Sequence, residues 1–363
     1  SRRSVGDLQI LLDAARPLKS LAEETPINNS LAKRIFDRLL GDSETSAKQG
    51  LTELAGVARW VNLKQSAATF LPYIVLQSWF LWDIHALRRL ERWQKKHGEF
   101  AEAWLTSLAE LDALMSLAAL IDDHPTWTEP VWQLAPATAH AAPSPPLVSS
   151  TAMGHPLLPE SDRVDNDVTI GPPGSFLLVT GSNMSGKSTM LRSVGLNTCL
   201  AMAGGPICAR ELRLPAIELA TSIRVADNLG DGVSYYMAEL QRLAEVVDHA
   251  KQLAKSNQLT QLFLLDEILQ GTNSRERQIA VARVLRHLSR CGSIGAITTH
   301  DLELADEPEM GERALPVHFR ETVRPDADGN DRMTFDYRMR NGICPTTNAL
   351  RLLELVGLQE DLP

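Results

Sequence analysis

Apolar residues recur every three or four positions through the first third of the chain. Leu8–Glu24 (LQILLDAARPLKSLAEE), Ser30–Leu40 (SLAKRIFDRLL), Lys48–Gln65 (KQGLTELAGVARWVNLKQ) and Ala101–Ile121 (AEAWLTSLAELDALMSLAALI) all keep that spacing. It is the stripe of an amphipathic helix, so residues 1–134 are expected to be helical almost throughout. The most apolar run, Phe70–Ile84 (FLPYIVLQSWFLWDI), is interrupted by Pro72, Gln77 and Ser78. It falls short of the ~20 apolar residues a membrane-spanning helix needs. A buried core helix is expected there, and no transmembrane segment. All seven tryptophans (Trp60, Trp79, Trp82, Trp93, Trp104, Trp127 and Trp132) lie in this part and are expected to serve its hydrophobic core.

The pattern changes at Ala135–Ser150 (APATAHAAPSPPLVSS), whose prolines exclude a regular helix. Residues 135–150 are read as a linker. From 151 to 363 short apolar runs alternate with helical stripes. Ser175–Gly181 (SFLLVTG), Gln261–Glu267 (QLFLLDE) and Ser293–His300 (SIGAITTH) read as buried strands. Ser188–Gly204, Tyr235–Ala254 and Arg275–Arg290 read as helices between them. Such alternation implies a parallel sheet flanked by helices, an α/β architecture. Near the end, Pro316–Pro325 and Arg332–Arg340 flank the turn-rich Asp326–Asp331 and predict a hairpin, followed by a short helix over Thr346–Gly357. Asp326–Asp331 (DADGND) has Asp331 where a calcium loop requires glycine, so the hairpin turn is preferred.

The length of 363 residues suits two or three domains. The formal net charge of −9 argues against a protein that coats DNA through a broad basic surface. One local basic run, Arg88, Arg89, Arg92, Lys95 and Lys96, could meet nucleic-acid phosphates or simply be a solvated helix face. Cys199, Cys208, Cys291 and Cys344 are far apart and form no C-x-x-C, which points to thiols in a reducing compartment. No secretory signal is recognised, and a cytoplasmic protein is expected.

Candidate chemistry centres on Gly181–Thr189 (GSNMSGKST), which keeps the spacing G-x-x-x-x-G-K-[ST]. Gly181 and Gly186 let the backbone curl so that successive N–H groups face phosphate oxygens. The N-terminus of the following helix adds positive potential. Lys187 would reach the β- and γ-phosphates of a nucleoside triphosphate, and Ser188 would bind Mg²⁺. Asp266 and Glu267 close the second apolar run: one acid can hold the magnesium and the neighbour can polarise the attacking water. His300 closes the third run. In a parallel sheet, ligands collect at the carboxyl ends of strands, and there His300 could sense the γ-phosphate or orient the water. Ser234 precedes an amphipathic helix. It reads either as an N-cap or as a second anion site serving a partner subunit's nucleotide.

With these residues in view, Gly154 to the end resembles the ATPase domain of the MutS family of DNA mismatch-repair and recombination proteins. The stretches that carry the likeness are GHPLL, DNDVTI, TGSNMSGKSTMLRSVG, GVSYYMAEL, LLDEILQGTNSRER, TTHDLEL and FDYRMRNGICPTTNALRLLELVGL. DEILQGTNS and FDYRMRNGI look most like the MutS-related branch that lacks mismatch-reading parts. The resemblance implies a P-loop ABC-type ATPase domain over residues 151–363, preceded by an all-α core and lever domain. It implies ATP and Mg²⁺ as ligands and a homodimer formed through the ATPase domain with composite sites. Gly181, Ser182, Asn183, Met184, Ser185, Gly186, Lys187, Ser188 and Thr189 are then the ATP-binding loop. Ser188 and Asp266 hold the metal, and Glu267, Lys187 and His300 are catalytic. Ser234 would reach the partner's γ-phosphate. Val164 and Tyr337 lie where the family packs its adenine, Tyr337 replacing the usual residue.

Phe100–Glu102 (FAE) imitates the family's mismatch wedge but lies in a lever-like helix, and is read as coincidence. No nuclease signature is recognised, and GVSYY stands where transport ATPases carry LSGGQ. Two functions stay open: an ATPase whose dimer closure moves a helical lever on structured or mismatched DNA, and the motor of a protein or membrane-tethered complex without DNA.

Overall fold

The computed structural model describes residues 30–41, 43–61, 67–133, 147–182, 184–223, 235–256, 259–270, 273–299, 311–325 and 331–343. The helices expected over Leu8–Glu24 and Thr346–Gly357, most of the linker, and the turn at 326–330 lie outside them. The chain divides into two compact units, Ser1–Ala119 and Leu120–Pro363.

The described part of the first unit is helical: α1 (Ser30–Leu40), α2 (Ala47–Val61), α3 (Ala67–Phe80) and α4 (Trp82–Asp123), the last turn of α4 falling in the second unit. The stripe Ile35, Phe36, Leu39 and Leu40 of α1 packs with Ala47 and Leu51 of α2 and with Trp104 and Leu111 of α4. The indole N–H of Trp104 donates to the carbonyl of Thr45 at 2.8 Å, and that of Trp93 to Gly50 at 2.7 Å. A buried indole thereby keeps its polar handle satisfied. The outer edge of the Trp104 ring abuts Gly50, where an added Cβ would come within 2.1 Å of its Cη2. Gly50→Ala would gain about 0.5–1 kcal/mol of helix propensity. The clash outweighs it, at about 1–3 kcal/mol for overpacking. A lower urea midpoint is the expected result; a raised one would contradict the packing described.

Phe70–Ile84 departs from expectation. It is helical on either side of a break at Leu81, and α3 runs through Pro72, but it is not buried: Leu71 is 74% and Trp79 81% exposed. Among the described residues, the first unit's core is filled by the stripes of α1, α2 and α4, and none of the described side chains of α3 belongs to it. Trp132 is exposed as well, so the tryptophans are not uniformly core. Among the described helices, α4 is long and apolar enough to cross a membrane by length and composition. Core helices of soluble proteins meet the same criterion.

The second unit is built on a six-stranded sheet. Its strands are β4 (Phe176–Thr180), β6 (Ile217–Ser222), β7 (Thr260–Asp266), β8 (Ile294–Thr298), β9 (Ala314–His318) and β12 (Arg340–Asn341), in the order β12-β9-β4-β8-β7-β6. All neighbours are parallel except β12, which is antiparallel to β9. β4 is buried at every position because both faces of the sheet are covered. Leu177 and Val179 point to the side of α5 (Lys187–Met202), packing with Met190, Leu191 and Val194. Phe176 and Leu178 point to the side of α6 (Tyr235–Ser256) and α7 (Ser274–Arg290), packing with Leu243, Val246, Leu285 and Leu288. The alternation of a strand thus becomes two cores, and a sheet covered twice reads as a continuous apolar run. Helix α7 starts where the Asn273 side chain accepts from the Glu276 amide at 2.8 Å, an N-cap.

A second sheet has the order β1-β5-β2-β3, from β1 (Val131–Gln133), β5 (Glu211–Pro215), β2 (Val148–Met153) and β3 (Asn166–Ile170). Two expectations change here. Residues 131–133, read as helical, form β1 against β5. Val148–Ser150, read as linker, begin β2. Both segments are too short for periodicity to register, and long-range pairing sets their conformation. The C-terminal hairpin is narrower than its sequence limits: β10 (Glu321–Pro325) pairs with β11 (Asp331–Phe335), while Ala314–His318 joins the large sheet as β9.

Candidate active site

β4 ends at Thr180, and the chain turns through the glycine loop into α5. Gly181 has φ +136° and Gly186 φ +109°, a region that side chains rarely enter. A Cβ on Gly181 would also meet the carbonyl oxygen of Phe319 at 2.5 Å. Both glycines are therefore required by backbone shape. Ser185 is 1% exposed, and its hydroxyl oxygen is buried without a hydrogen-bond partner. An orphaned hydroxyl inside a curled loop at a helix N-terminus suits an anion such as phosphate. Met184, at φ +65°, is 84% exposed beside it.

Lys187 is almost wholly buried, and its ammonium donates to the carbonyls of Gly181 (2.9 Å) and Ser182 (3.0 Å). Glu267 Oε1 lies 3.5 Å from Nζ. Burial pushes the Lys187 pKa down, opposed by Glu267, Asp266 and Glu321. The Ser188 hydroxyl donates to Asp266 Oδ1 at 2.8 Å. Hydroxyl and carboxylate are hard oxygen donors, and Mg²⁺ typically takes only one or two protein ligands beside phosphates and waters. The pair fits that ion, although the described residues hold no cluster of three or more His, Cys, Asp or Glu that could cage one.

The structure thus brings Lys187 and Ser188, which follow β4, together with Asp266 and Glu267 at the end of β7. Between these strands runs β8, and its last residue, Thr298, joins the acids. Thr298 Oγ1 donates to Asp266 Oδ1 at 2.7 Å and accepts from the Glu267 amide at 2.9 Å. Glu267 itself is held in the left-handed region, φ +46°, and its Oε2 accepts from Gln270 Nε2 at 2.6 Å. Backbone strain of this kind in a non-glycine residue is often a mark of a functional site.

The loop opens into a cavity of about 810 Å³, lined by Gly186, Lys187, Ser188, Thr189 and Glu267 together with Val164, His155, Phe319 and Tyr337. Val164 and Tyr337, 173 residues apart in sequence, meet here because Asn166 bridges their loops. Its side chain donates to the Tyr337 carbonyl at 3.0 Å and accepts from the Met339 amide at 2.7 Å. Burial, and then Arg192, lower the His155 pKa, so a neutral imidazole faces the cavity near neutral pH. Asn183, Ser234 and His300 lie outside the described residues.

Sequence reasoning missed Thr298, Asn166 and Glu321. Glu321 Oε2 accepts from the Ser182 hydroxyl at 2.7 Å, tying β10 to the loop. The adjacent threonines at the end of the third apolar run were a usable signal for Thr298; Glu321 had none.

A glycine loop between strand and helix stands with a lysine, a hydroxyl and two acids at neighbouring strand ends, an arrangement suited to phosphate. Residues 177–362, just over half of the chain, match the family model of MutS domain V. The chain belongs to the MutS family, and MutS domain V is an ATPase domain. Among curated relatives, it is 29% identical over 274 residues to the DNA mismatch repair protein MSH6 of Arabidopsis thaliana, covering 72% of this chain and 20% of that protein. It is 31% identical over 269 residues to the DNA mismatch repair protein MutS 2 of Halobacterium salinarum, covering 72% and 28%. With the DNA mismatch repair protein MutS of an Exiguobacterium species it shares 28% identity over 335 residues, covering 90% and 36%. The chain thus spans a fifth to about a third of the relatives' length.

Proposed function

We propose that this chain is a Mg²⁺-dependent ATPase of P-loop ABC type that works as a dimer, residues 1–134 serving as a core and lever domain moved by ATP-driven closure. The observation that carries the reading is the convergence of Lys187, Ser188, Asp266 and Glu267 on one edge of the sheet, with 2.8 Å from Ser188 Oγ to Asp266 and 3.5 Å from Lys187 to Glu267. In this reading Lys187 and the loop amides hold the phosphates, and Ser188 and Asp266 hold the metal. Magnesium held there would supply positive charge to offset the negative charge that develops on the phosphate oxygens. Glu267 accepts a proton as the water oxygen bonds to the γ-phosphorus and the bond to the β-phosphate oxygen breaks. Thr298 keeps both acids in register. Val164 and Tyr337 flank the base, and Asn183, Ser234 and His300 take the family's roles in phosphate contact, trans-subunit contact and switching.

Thr298→Val keeps the volume and removes the hydroxyl. A loss of about 10–100-fold in kcat, with nucleotide binding retained, is expected for a group that orients a metal ligand. An unchanged kcat measured at saturating ATP and Mg²⁺ would contradict that role.

DNA is the proposed partner, because the relatives are named DNA mismatch repair proteins. The test is steady-state ATPase activity with and without duplex, mismatched and branched DNA over a series of salt concentrations. Stimulation that fades steeply with salt is expected for contacts to phosphates. An ATPase rate indifferent to every DNA at low salt, together with no DNA binding, would overturn the DNA reading while leaving the ATPase itself standing.

A further inference from the structure

Helix α3 exposes apolar side chains on opposite sides. Leu71 and Phe80, nine residues apart, lie about 180° from each other around a helix of 3.6 residues per turn, and they are 74% and 62% exposed. Phe70 and Trp79 form a second such pair, at 47% and 81%. Ile74 and Val75 between them are exposed too. None of the described α3 side chains joins the core of the first unit. A helix that packs on a protein surface carries one apolar stripe, whereas one that is apolar all round needs apolar surroundings on every side. Its 14 residues reach about 21 Å at about 1.5 Å per residue, short of the ~30 Å hydrocarbon core of a bilayer. The helix therefore suits insertion into one leaflet, not a crossing.

The chain that follows is basic. Leu81 alone, at φ +48°, separates α3 from α4. The Tyr73 hydroxyl donates to Asp83 Oδ2 at 2.9 Å, and Gln77 Oε1 accepts from the Asp83 amide at 3.0 Å, so the turn is tied twice. From Ile84 to Gly98 five basic residues, Arg88, Arg89, Arg92, Lys95 and Lys96, stand against one acid, Glu91. All five are exposed. Lys96 turns to Glu53 at 2.9 Å. Arg88, Arg92 and Lys95, spaced four and three, share a helix face distinct from that of the buried Ala86 and His97. The whole chain carries −9, so an anionic surface repels it on balance and attracts it only at such a local patch. Arg88 lies about 10 Å along α4 from Leu81. That reach sets the cations at the level of lipid phosphates while the apolar turns before them sit in hydrocarbon. Tyr73, Trp79 and Trp82 stand near the junction, and Trp and Tyr favour the membrane–water boundary.

We propose that α3 and the basic face of the first turns of α4 form a docking surface for an anionic phospholipid membrane, α3 sinking into one leaflet while Arg88, Arg92 and Lys95 meet the headgroup phosphates. Apolar insertion supplies the hold, and the cations supply the choice of lipid. Two such signals together give stable attachment where either alone is marginal. The surface belongs to the first unit, and lipid attachment is independent of the ATPase reading.

Flotation of the full chain with vesicles, in the absence of nucleotide, is the test. Vesicles of phosphatidylcholine are compared with vesicles of equal parts phosphatidylcholine and phosphatidylserine, at low and at high salt. Affinity for the anionic vesicles is expected to exceed that for the neutral ones by about tenfold or more, and the preference should shrink as salt rises. Leu71→Glu combined with Trp79→Glu is expected to weaken binding by about 100-fold or more. Both side chains are exposed, so the thermal midpoint should stay within about 2 °C. Replacing Arg88, Arg92 and Lys95 together by glutamine should cost about 10–100-fold on anionic vesicles and leave binding to neutral ones as it was. No flotation with anionic vesicles would overturn the proposal, as would flotation that the two glutamates leave unchanged, or equal affinity for both kinds of vesicle. Should the glutamates lower the thermal midpoint, the glutamine variant decides alone. Light scattering without lipid completes the set: a smaller assembly in the glutamate variant, with no flotation of either protein, would overturn the proposal and assign α3 to a second copy of the chain.

Discussion

Replacing Lys187 by alanine is expected to weaken ATP binding by about 10²–10⁴-fold. Its ammonium stands at the head of α5, beside the loop amides and within 3.5 Å of Glu267. Two charge-assisted hydrogen bonds to phosphate, at about 1.5–3 kcal/mol each, give that range. The side effect on stability runs the other way. Burial lowers the Lys187 pKa from its usual 10.5, and the nearby carboxylates do not fully offset the loss of water. The unfolded chain therefore holds this proton more tightly than the folded one. Stability from this group rises with pH between the lowered native pKa and 10.5, and is at its least below that window. Lys187→Met, which fills the space without the charge, should melt at a higher temperature than the wild type when no nucleotide is added. With Mg²⁺ and ATP the order should reverse, because only the wild type gains stability by binding. Thermal melts of both proteins with and without nucleotide check the pair of statements. A methionine variant that melts lower without nucleotide would show that the lysine's bonds to Gly181 and Ser182 outweigh its desolvation.

The second large effect belongs to Glu267. Changing it to glutamine keeps the shape and one acceptor oxygen but removes the proton acceptor. Loss of a general base lowers turnover by about 10²–10⁴-fold. ATP affinity should be unchanged or higher, since Lys187 no longer faces a carboxylate at 3.5 Å. The split between binding and turnover is the signature. A variant that loses both would place Glu267 among the groups that hold the loop together, and one that loses neither would remove it from the chemistry.

The strand–loop–helix around Lys187 and the acids after β7 were legible in sequence for a physical reason. A sheet covered on both faces produces an uninterrupted apolar run, and a helix produces a stripe, so the change of period marks the loop between them. The hairpin of β10 and β11 was legible from its turn residues, but β9 was not separable from it, because its parallel partner β4 lies about 140 residues away. Thr298, Asn166 and Glu321 were not legible as a group. Each is an ordinary polar residue whose role depends on a neighbour that only the sheet order or a crossing loop brings near. The exposure of α3 escaped notice for the opposite reason: hydropathy measures what a segment would bury, and composition does not say what packs against it. Asn183 rests on the resemblance alone, while Ser234 and His300 rest on their places in the sequence pattern and on the resemblance, and all three lie outside the described residues.

The most direct test of the site is the identity of the nucleotide left on the protein. Wild type and Glu267→Gln are each loaded with Mg²⁺ and ATP, freed of excess nucleotide after equal incubation, and the bound nucleotide is separated and counted. ADP on the wild type and intact ATP on Glu267→Gln is the expected result. ADP formed at the same rate on both would contradict the assignment of catalysis to the acids at the end of β7.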